Sequence, residues 1–395
     1  MKTLLTSPSK MSLSDNESVI YQNGLKQASE LSLNLLAVKV TNRPSDFNGW
    51  CLEMIDVCVN RVNYHLLDAD QLKPLKKLVD LLTLGVSVSQ LQLAKISPWP
   101  LFVDFINQKS QIQGLEERTR LLNYVNKIKT TSLVGMFSED KLAIAGKHTV
   151  QHDPKVYDFD CEWFGSTKGA KAFHQVLDDN SQAMEQALSH IPLEGEVTDE
   201  HYQAFVADYV SAHEQIEKKP ALAPATRLLA MRRPDQFVVL TNAKTEAFAL
   251  GLGIKRLTTN DFNSYWVELI GAVRSMSWWS EPAPVMESEV TDEQFSAELF
   301  YWQHRAILLD MMFFADSDTT AKSNYLKALK KPARAKTAAT GGRRSKESAR
   351  ALVERVLATD DMPDFIMAQR ESIISQVEAG KKIDDVIALL RKIFS

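Results

Sequence analysis

The residues from Arg232 to Lys244, RRPDQFVVLTNAK, place Asp235 directly after a proline and Lys244 nine positions further on. Two carboxylates and a lysine in such an arrangement would hold a hard divalent cation through anionic oxygens while the amine orients an attacking water, the chemistry of phosphodiester hydrolysis. The second acid is missing. Asn242 stands where it is needed, and a neutral amide oxygen holds a hard cation far more weakly than a carboxylate. Only six residues separate Asp235 from Asn242, which places them at the two ends of one short strand. A helix, a proline turn, a buried strand and a cap at Thr241 or Asn242 account for the same stretch. Asp235 and Lys244 are therefore minor candidates for catalysis, with Arg232 and Arg233 beside them as candidate phosphate contacts.

A second constellation surrounds His148 and His152, followed by Asp153, Asp158, Asp160 and Glu162. Imidazoles and carboxylates this close together suit a metal site or acid–base work; a polar loop leaving a hairpin gives the same pattern. The eight histidines form no HExxH motif and no CxxC pair occurs, so no resident metal or organic cofactor is expected. The string GSTKGAK, Gly165 to Lys171, has the composition of a phosphate loop without the order that cradles a triphosphate. Lys255-Arg256 after GLGI resembles the turn of a helix-hairpin-helix. The aromatic set Tyr265, Trp266, Trp278, Trp279, Tyr301 and Trp302 invites a base-stacking reading, but aromatics at helical spacing usually fill a core.

The strongest signal is electrostatic. Between Ala321 and Arg350 lie ten basic residues, Lys322, Lys327, Lys330, Lys331, Arg334, Lys336, Arg343, Arg344, Lys346 and Arg350, against Glu347 alone, a segment charge of +9. The chain as a whole carries −4, so the remainder carries −13, the difference between the two. Lysine and arginine contacts to phosphates release condensed counterions, so such a strip supplies affinity for nucleic acid without sequence preference. Lys330, Lys331, Arg334, Lys336, Arg343, Arg344, Lys346 and Arg350 are the expected nucleic-acid contacts.

The elements that must position these groups are mostly helical. Apolar residues recur three and four apart in GWCLEMIDVCVNRVNYHLL and LKKLVDLLTLG, with Pro74, Pro98 and Pro100 expected at helix boundaries. The periodicity predicts a ragged, disordered N-terminus over 1–16, a helical domain over 17–131 and a mixed α/β body over 132–318. Within that body SLVGMFSEDKLAIAGKHTV reads as a hairpin near 133–150, KVYDFDCEWF as a third short strand, and DQFVVLT as a strand near 236–241. Helices are expected through GAKAFHQVLDDNSQAMEQALSHI, from Thr198 as cap, through PATRLLAMRR, and from Asn242 to Gly251 or Gly253. Further helices are expected from Thr259 or Asn260, and from a capping box at Thr291 and Gln294 on to about Ala315. Residues 319–344 read as a basic linker, and 345–395 as a small helical unit.

In that last unit FIMAQRESIISQVEAG carries Ile366, Ile373, Ile374 and Val377 on one face and ends at Gly380, and a second helix carries Ile383, Val386, Ile387 and Leu390. Helix, glycine-containing turn and short helix is the helix-turn-helix outline. Over about 364–392 it resembles the helix-turn-helix-like segments of DNA-binding proteins of plasmids and mobile elements. The resemblance implies DNA as the partner and a prokaryotic setting; it does not extend to the main body. Asp384 and Asp385, at the start of the second helix, would oppose a phosphate backbone.

Length and composition bound the reading. A chain of 395 residues with 45% hydrophobic and 24% charged residues is globular, and 15 Gly and 14 Pro are too few for a many-turned β sandwich. No window approaches 18 uninterrupted apolar residues, so no membrane span is expected. Cys51, Cys58 and Cys161 cannot build a disulfide framework, in keeping with a reducing cytoplasm, and Cys51 and Cys58, seven apart, are expected as small buried hydrophobes. The expected fold is α+β and predominantly α-helical. The expected function is that of a nucleic-acid-binding accessory or assembly subunit acting mainly on DNA with protein partners. A metal-dependent nuclease and a protein–protein scaffold with a basic arm are the alternatives.

Overall fold

The computed structural model describes residues 11–31, 44–149, 152–286, 291–330, 353–354, 356–357, 364–378, 383 and 386–387. By its contacts the chain divides into two units, Met1–Lys330 and Lys331–Ser395. The described residues are predominantly helical and include no β-strand.

The first unit opens with α1 (Asp15–Glu30), α2 (Phe47–Asp56) and α3 (Ala69–Ile96). α1 starts inside the stretch expected to be disordered, because Ser14 and Glu17 form a capping box that satisfies both ends of the first turn. Met11 and Leu13 ahead of it already pack on the core. α3 is about 42 Å long at 1.5 Å per residue, and Pro74 lies within it instead of bounding it. Pro98, in contrast, is the N-cap of α4 (Trp99–Lys109), with Pro100 in its first turn. Trp50, Met54, Leu78 and Leu82 are buried in a smaller apolar cluster between α1, α2 and the first half of α3. Leu91 and Ala94, further along α3, belong to the larger cluster that holds the rest of the unit. One helix thus serves both cores. Its approach to α11 (Asn242–Leu252) is set by Gly251, where a Cβ would lie 2.7 Å from that of Leu91.

The predicted hairpin near 133–150 is instead helical: α6 runs Ser138–Ala145. Glu139 and Asp140 in its first turn suit the helix dipole, and Gly146, at φ +80°, closes it in the left-handed conformation. The apolar pair of runs that suggested two strands is a loop followed by one short buried helix face. The stretch expected as a third strand, within 155–164, is a series of turns, and Phe164 adopts φ +71°.

The predicted strand near 236–241 is buried and extended but pairs with no other strand. Side chains take the place of a ladder: the Leu240 N–H donates to Thr226 Oγ1 at 3.0 Å and Tyr265 Oη donates to the Val238 carbonyl at 2.7 Å. Once its polar groups are satisfied this way, a buried segment needs no sheet.

Other helices follow expectation with shifted ends. After α5 (Leu115–Ile128), the expected single helix beyond Gly165 is two, α7 (Lys171–Asp179) and α8 (Ser181–Ser189), broken at Asn180. α9 (Asp199–Glu214) is capped by Thr198, and α10 (Leu222–Arg232) and α11 stand where predicted, α11 ending at Gly253 with φ +75°. α12 comprises Phe262–Ser264, a π-helical stretch Tyr265–Ile270 and Gly271–Arg274, and it is Asp261 that caps it. α13 (Asp292–Gln303) has the predicted Thr291–Gln294 capping box but ends a dozen residues early, and a 3-10 turn, Ile307–Met312, follows. α14 (Ser317–Ala321) and α15 (Asn324–Lys330) complete the unit.

The second unit holds its own apolar cluster, including Val353, Ile366, Ile373, Ile374, Ile383, Val386 and Ile387. α16 (Asp364–Met367) and α17 (Arg370–Glu378) lie in the first helix of the predicted helix-turn-helix, which is interrupted at residues 368–369. Gly380, Asp384 and Asp385 are outside the described residues.

The segment from Gly146 to Ala170 is irregular yet carries the buried side chains of Tyr157, Phe159, Cys161 and Phe164. What fixes it is Arg227 on α10, which is fully buried. Its guanidinium donates to the carbonyls of Ile144 (3.1 Å), Ala143 (3.2 Å), Cys161 (2.9 Å) and Trp163. Burial lowers its pKa to about 10, still far above neutrality, so the charge is retained and spread over backbone dipoles. Arg227→Met would strand the carbonyls of Ile144, Cys161 and Trp163 in the core and should cost about 3–5 kcal/mol. Urea unfolding checks this; a loss below about 1 kcal/mol would mean that the carbonyls are served in another way.

Candidate functional site

Asp235 and Lys244, paired in the sequence reading, have separate partners in the structure. Arg233 grips the Asp235 carboxylate with both Nε and Nη2 at 2.8 Å, while its other donors reach the carbonyls of Pro192 (2.7 Å) and Gly195 (2.6 Å). Burial alone would raise the Asp235 carboxyl, but Arg233 more than offsets it and holds the pKa below the ordinary carboxylate value. Lys244, on the first turn of α11, is ion-paired with Asp310 and donates to the Phe164 carbonyl at 2.6 Å. Asn242 accepts from Thr259 Oγ1 at 2.7 Å. Each group of the proposed catalytic set is thus engaged in holding loops to helices.

Asp310 is the second junction of this core. Besides Lys244 it takes Arg118 Nη1 at 2.5 Å, and the Arg118 guanidinium stacks 4.5 Å from the Trp163 ring and 4.8 Å from that of Phe164. Neighbouring Glu117, also buried, accepts from the Asp160 N–H (3.0 Å), Trp163 Nε1 (3.0 Å) and Ser323 Oγ (2.8 Å). Arg118, Arg227 and Asp310 did not stand out in the sequence. The available signal was Arg227: α10 is apolar on nearly every side, and a charge amid such a helix has to be paired or widely hydrogen-bonded.

The histidine constellation does assemble, with Cys161 as a member that its spacing did not reveal. His148, His152 and Cys161 bring donor atoms within 4.8 Å of one another, and the two imidazole centroids lie 4.9 Å apart. The hydrogen bonds assign a tautomer. His152 Nδ1 accepts the Thr149 N–H at 3.0 Å, so Nε2 carries the proton and faces Cys161 Sγ at 3.5 Å. Burial, followed by His148, lowers His152 below the ordinary imidazole range, and burial pushes the Cys161 thiol up to about 12. A neutral imidazole against a neutral thiol is poor in anionic ligands. The carboxylates are occupied too: Glu162 accepts the His148 N–H (3.2 Å) and lies 3.6 Å from Lys168, Asp158 lies 3.6 Å from Arg120, and Asp160 accepts the Asn324 N–H at 2.6 Å. In GSTKGAK the Thr167 hydroxyl is buried against the Ala145 carbonyl at 2.7 Å.

The aromatic set is core, with Tyr265, Trp266, Trp278, Tyr301 and Trp302 buried. Cys51 and Cys58 are buried as well. Lys330 is exposed at the end of α15; Lys331, Arg334, Lys336, Arg343, Arg344, Lys346 and Arg350 lie outside the described residues.

Around Arg233 the wall is open. A cleft of about 430 Å³ is lined by Lys129 at the end of α5, Arg232, Arg233, Asp235, Trp302 and Arg305. An adjoining chamber of about 250 Å³ shares Lys129, Leu193 and Arg232 with it and continues over Leu133, Met136, Ile144 and Leu188.

Two outcomes test these assignments. Asp310→Asn leaves Lys244 and Arg118 without a counter-charge and should cost about 3–5 kcal/mol at pH 7. Burial raises the Asp310 carboxyl, and Lys244 and Arg118 outweigh that and depress it. Its contribution is therefore present above the unfolded value near 3.9 and lost as pH falls below it, and the difference in stability between parent and variant should shrink between about pH 4 and pH 2. A difference that stays constant across that range would contradict the assignment. At the His148 cluster, one equivalent of Zn²⁺ should leave the melting temperature unchanged, because binding through His152 Nε2 would move the ring proton to Nδ1, where the Thr149 N–H already donates; a rise of several degrees would make the cluster a metal centre.

No known protein family, curated protein or solved structure matches this chain.

Proposed function

We propose that the protein is a nucleic-acid-binding accessory subunit whose contacts lie in the basic segment from Ala321 to Arg350. The observation that carries this reading is the +9 charge of those thirty residues in a chain of net −4. The boundary between the two units, at Lys330–Lys331, falls inside that segment. Lys322, Lys327 and Lys330 belong to the first unit, and the seven basic residues from Lys331 to Arg350 follow its boundary, so that phosphate contacts there leave the packing of the first unit undisturbed. The acidity left to the rest of the chain, −13 in total, disfavours contacts with nucleic acid elsewhere and concentrates them on the strip. The helix-turn-helix outline in the second unit belongs to the same proposal as a means of reading duplex DNA, with DNA preferred over RNA.

Binding of a labelled duplex should weaken steeply with salt, as counterion release requires. Arg343→Ala with Arg344→Ala should reduce the slope of log K against log salt by about 0.9 for each phosphate that is no longer neutralised, up to about 1.8. Fluorescence anisotropy between 50 and 200 mM salt, a range over which such proteins respond strongly, measures it. Absence of binding at the lowest salt, or an unchanged slope in the double variant, would refute the reading.

A further inference from the structure

The cleft beside Arg233 has a charge arrangement that folding alone does not require. Arg233 and Asp235 neutralise each other. That leaves Lys129, Arg232 and Arg305 facing the exposed acid Glu194, an excess of two positive charges on the cleft wall. His304, on the same wall, adds none, because burial lowers its pKa to about 4.

The three cations are held in place from behind while part of their hydrogen-bonding capacity stays unused. Arg232 Nε donates to the Ile191 carbonyl at 2.6 Å, and its terminal nitrogens have no partner among the described residues. The Arg305 guanidinium stacks 4.4 Å from the Trp302 ring and 4.7 Å from that of Trp279, and Nη1 donates to the Trp302 carbonyl at 3.0 Å. Its Nε is buried with no hydrogen-bond partner. Lys129 forms no ion pair among the described residues; burial, together with Arg233 and Arg232, pulls its pKa down against the opposing effect of Asp235. Unmatched cations that are stacked and half-buried mark a place where an anion would relieve repulsion and desolvation together.

The adjoining chamber supplies the other half. Its walls are Leu133, Met136, Ile144, Leu188 and Met231, and Glu185 on its rim is engaged by Ser132 Oγ at 2.5 Å. At about 30 Å³ for each water-sized group, 250 Å³ holds about eight. Lys129, Leu193 and Arg232 line both spaces, so the two abut at these side chains.

We propose that this double cavity binds a phosphate monoester carried on an apolar body of about eight carbon-sized groups, with the phosphate between Lys129, Arg232 and Arg305 and the body in the chamber lined by Ile144 and Leu188. A phosphate monoester has a charge of about −1.5 to −2 at neutral pH, against an excess of two on the cleft wall and of one over the whole double cavity once Glu185 on the chamber rim is counted. Two guanidinium forks and one ammonium suit its three terminal oxygens.

Calorimetric titration of the full chain with octyl phosphate, inorganic phosphate and octanol tests the proposal. Octyl phosphate should bind at least tenfold more tightly than either of the others. Lys129→Gln, at a half-buried side chain without a bonded partner, should keep the far-ultraviolet circular dichroism of the parent and weaken octyl phosphate about tenfold, as removal of one charge-assisted hydrogen bond does. Ser189→Trp, at the exposed rim of the chamber, should reduce octyl phosphate to the affinity of inorganic phosphate. The double change Arg343→Ala with Arg344→Ala should leave its binding unchanged. The proposal is overturned if inorganic phosphate or octanol binds as well as octyl phosphate, if both Lys129→Gln and Ser189→Trp bind like the parent, or if the change at Arg343 and Arg344 abolishes binding.

Discussion

Arg227 replaces secondary structure. The chain between α6 and α7 is about 25 residues long, its described residues form no helix or strand, and it still contributes Phe159, Cys161 and Phe164 to the core. Such a path leaves carbonyls pointing inward, and each would be costly without a donor. One guanidinium, entering from α10, serves two of them, at Cys161 and Trp163, and ties them to the carbonyls of Ala143 and Ile144 at the end of α6. Its five donors are set in a rigid fork, a geometry that an ammonium could not reproduce. The position of the loop, and therefore of the His148 cluster and of Phe164, follows from that side chain.

The neighbouring charges repeat the device. Asp310 draws Arg118 from α5 and Lys244 from α11 to one point, and Lys244 passes the constraint on to the Phe164 carbonyl. Glu117 ties the same loop to Ser323 near the end of the unit. Buried ion pairs of this kind are expensive to form, but removing one member is more expensive still, so they specify one arrangement strongly. This gives the folded body a reason for its many buried charges that involves no reaction. By contrast, the cations on the cleft wall are only half satisfied. That difference in hydrogen bonding separates a structural charge from one available to a ligand.

Helices were legible because their signals are local. The cap at Thr198, the capping box at Thr291 and a glycine closing α11 are encoded within a few residues; the structure has the two caps in place and, of the two glycines the sequence offered, ends α11 at Gly253. The strands were misread because an apolar run reports burial without saying how its backbone is satisfied. At Phe237–Leu240 the partners are Thr226 and Tyr265, 14 and 27 residues away from the groups they bond. The His148 cluster was half legible: the histidines and acids stood out by proximity, but Cys161 sits in no ligand motif and did not. The cleft was legible only through Arg232 and Arg233, candidate phosphate contacts in the sequence; Lys129 and Arg305 come from distant parts of the chain and gave no sign of it. The basic segment was the reverse case, a composition so biased that no fold was needed to notice it.

Residues 321–350 are proposed to hold nucleic acid, and the helical body before Asp316 is not. Ultraviolet cross-linking of the intact protein to a bromouridine-substituted oligonucleotide, followed by peptide mapping, places the contact directly. The account predicts cross-linked peptides concentrated between Ala321 and Arg350, with additional ones confined to the second unit. Cross-links distributed over the body before Asp316, with none in the basic segment, would contradict it.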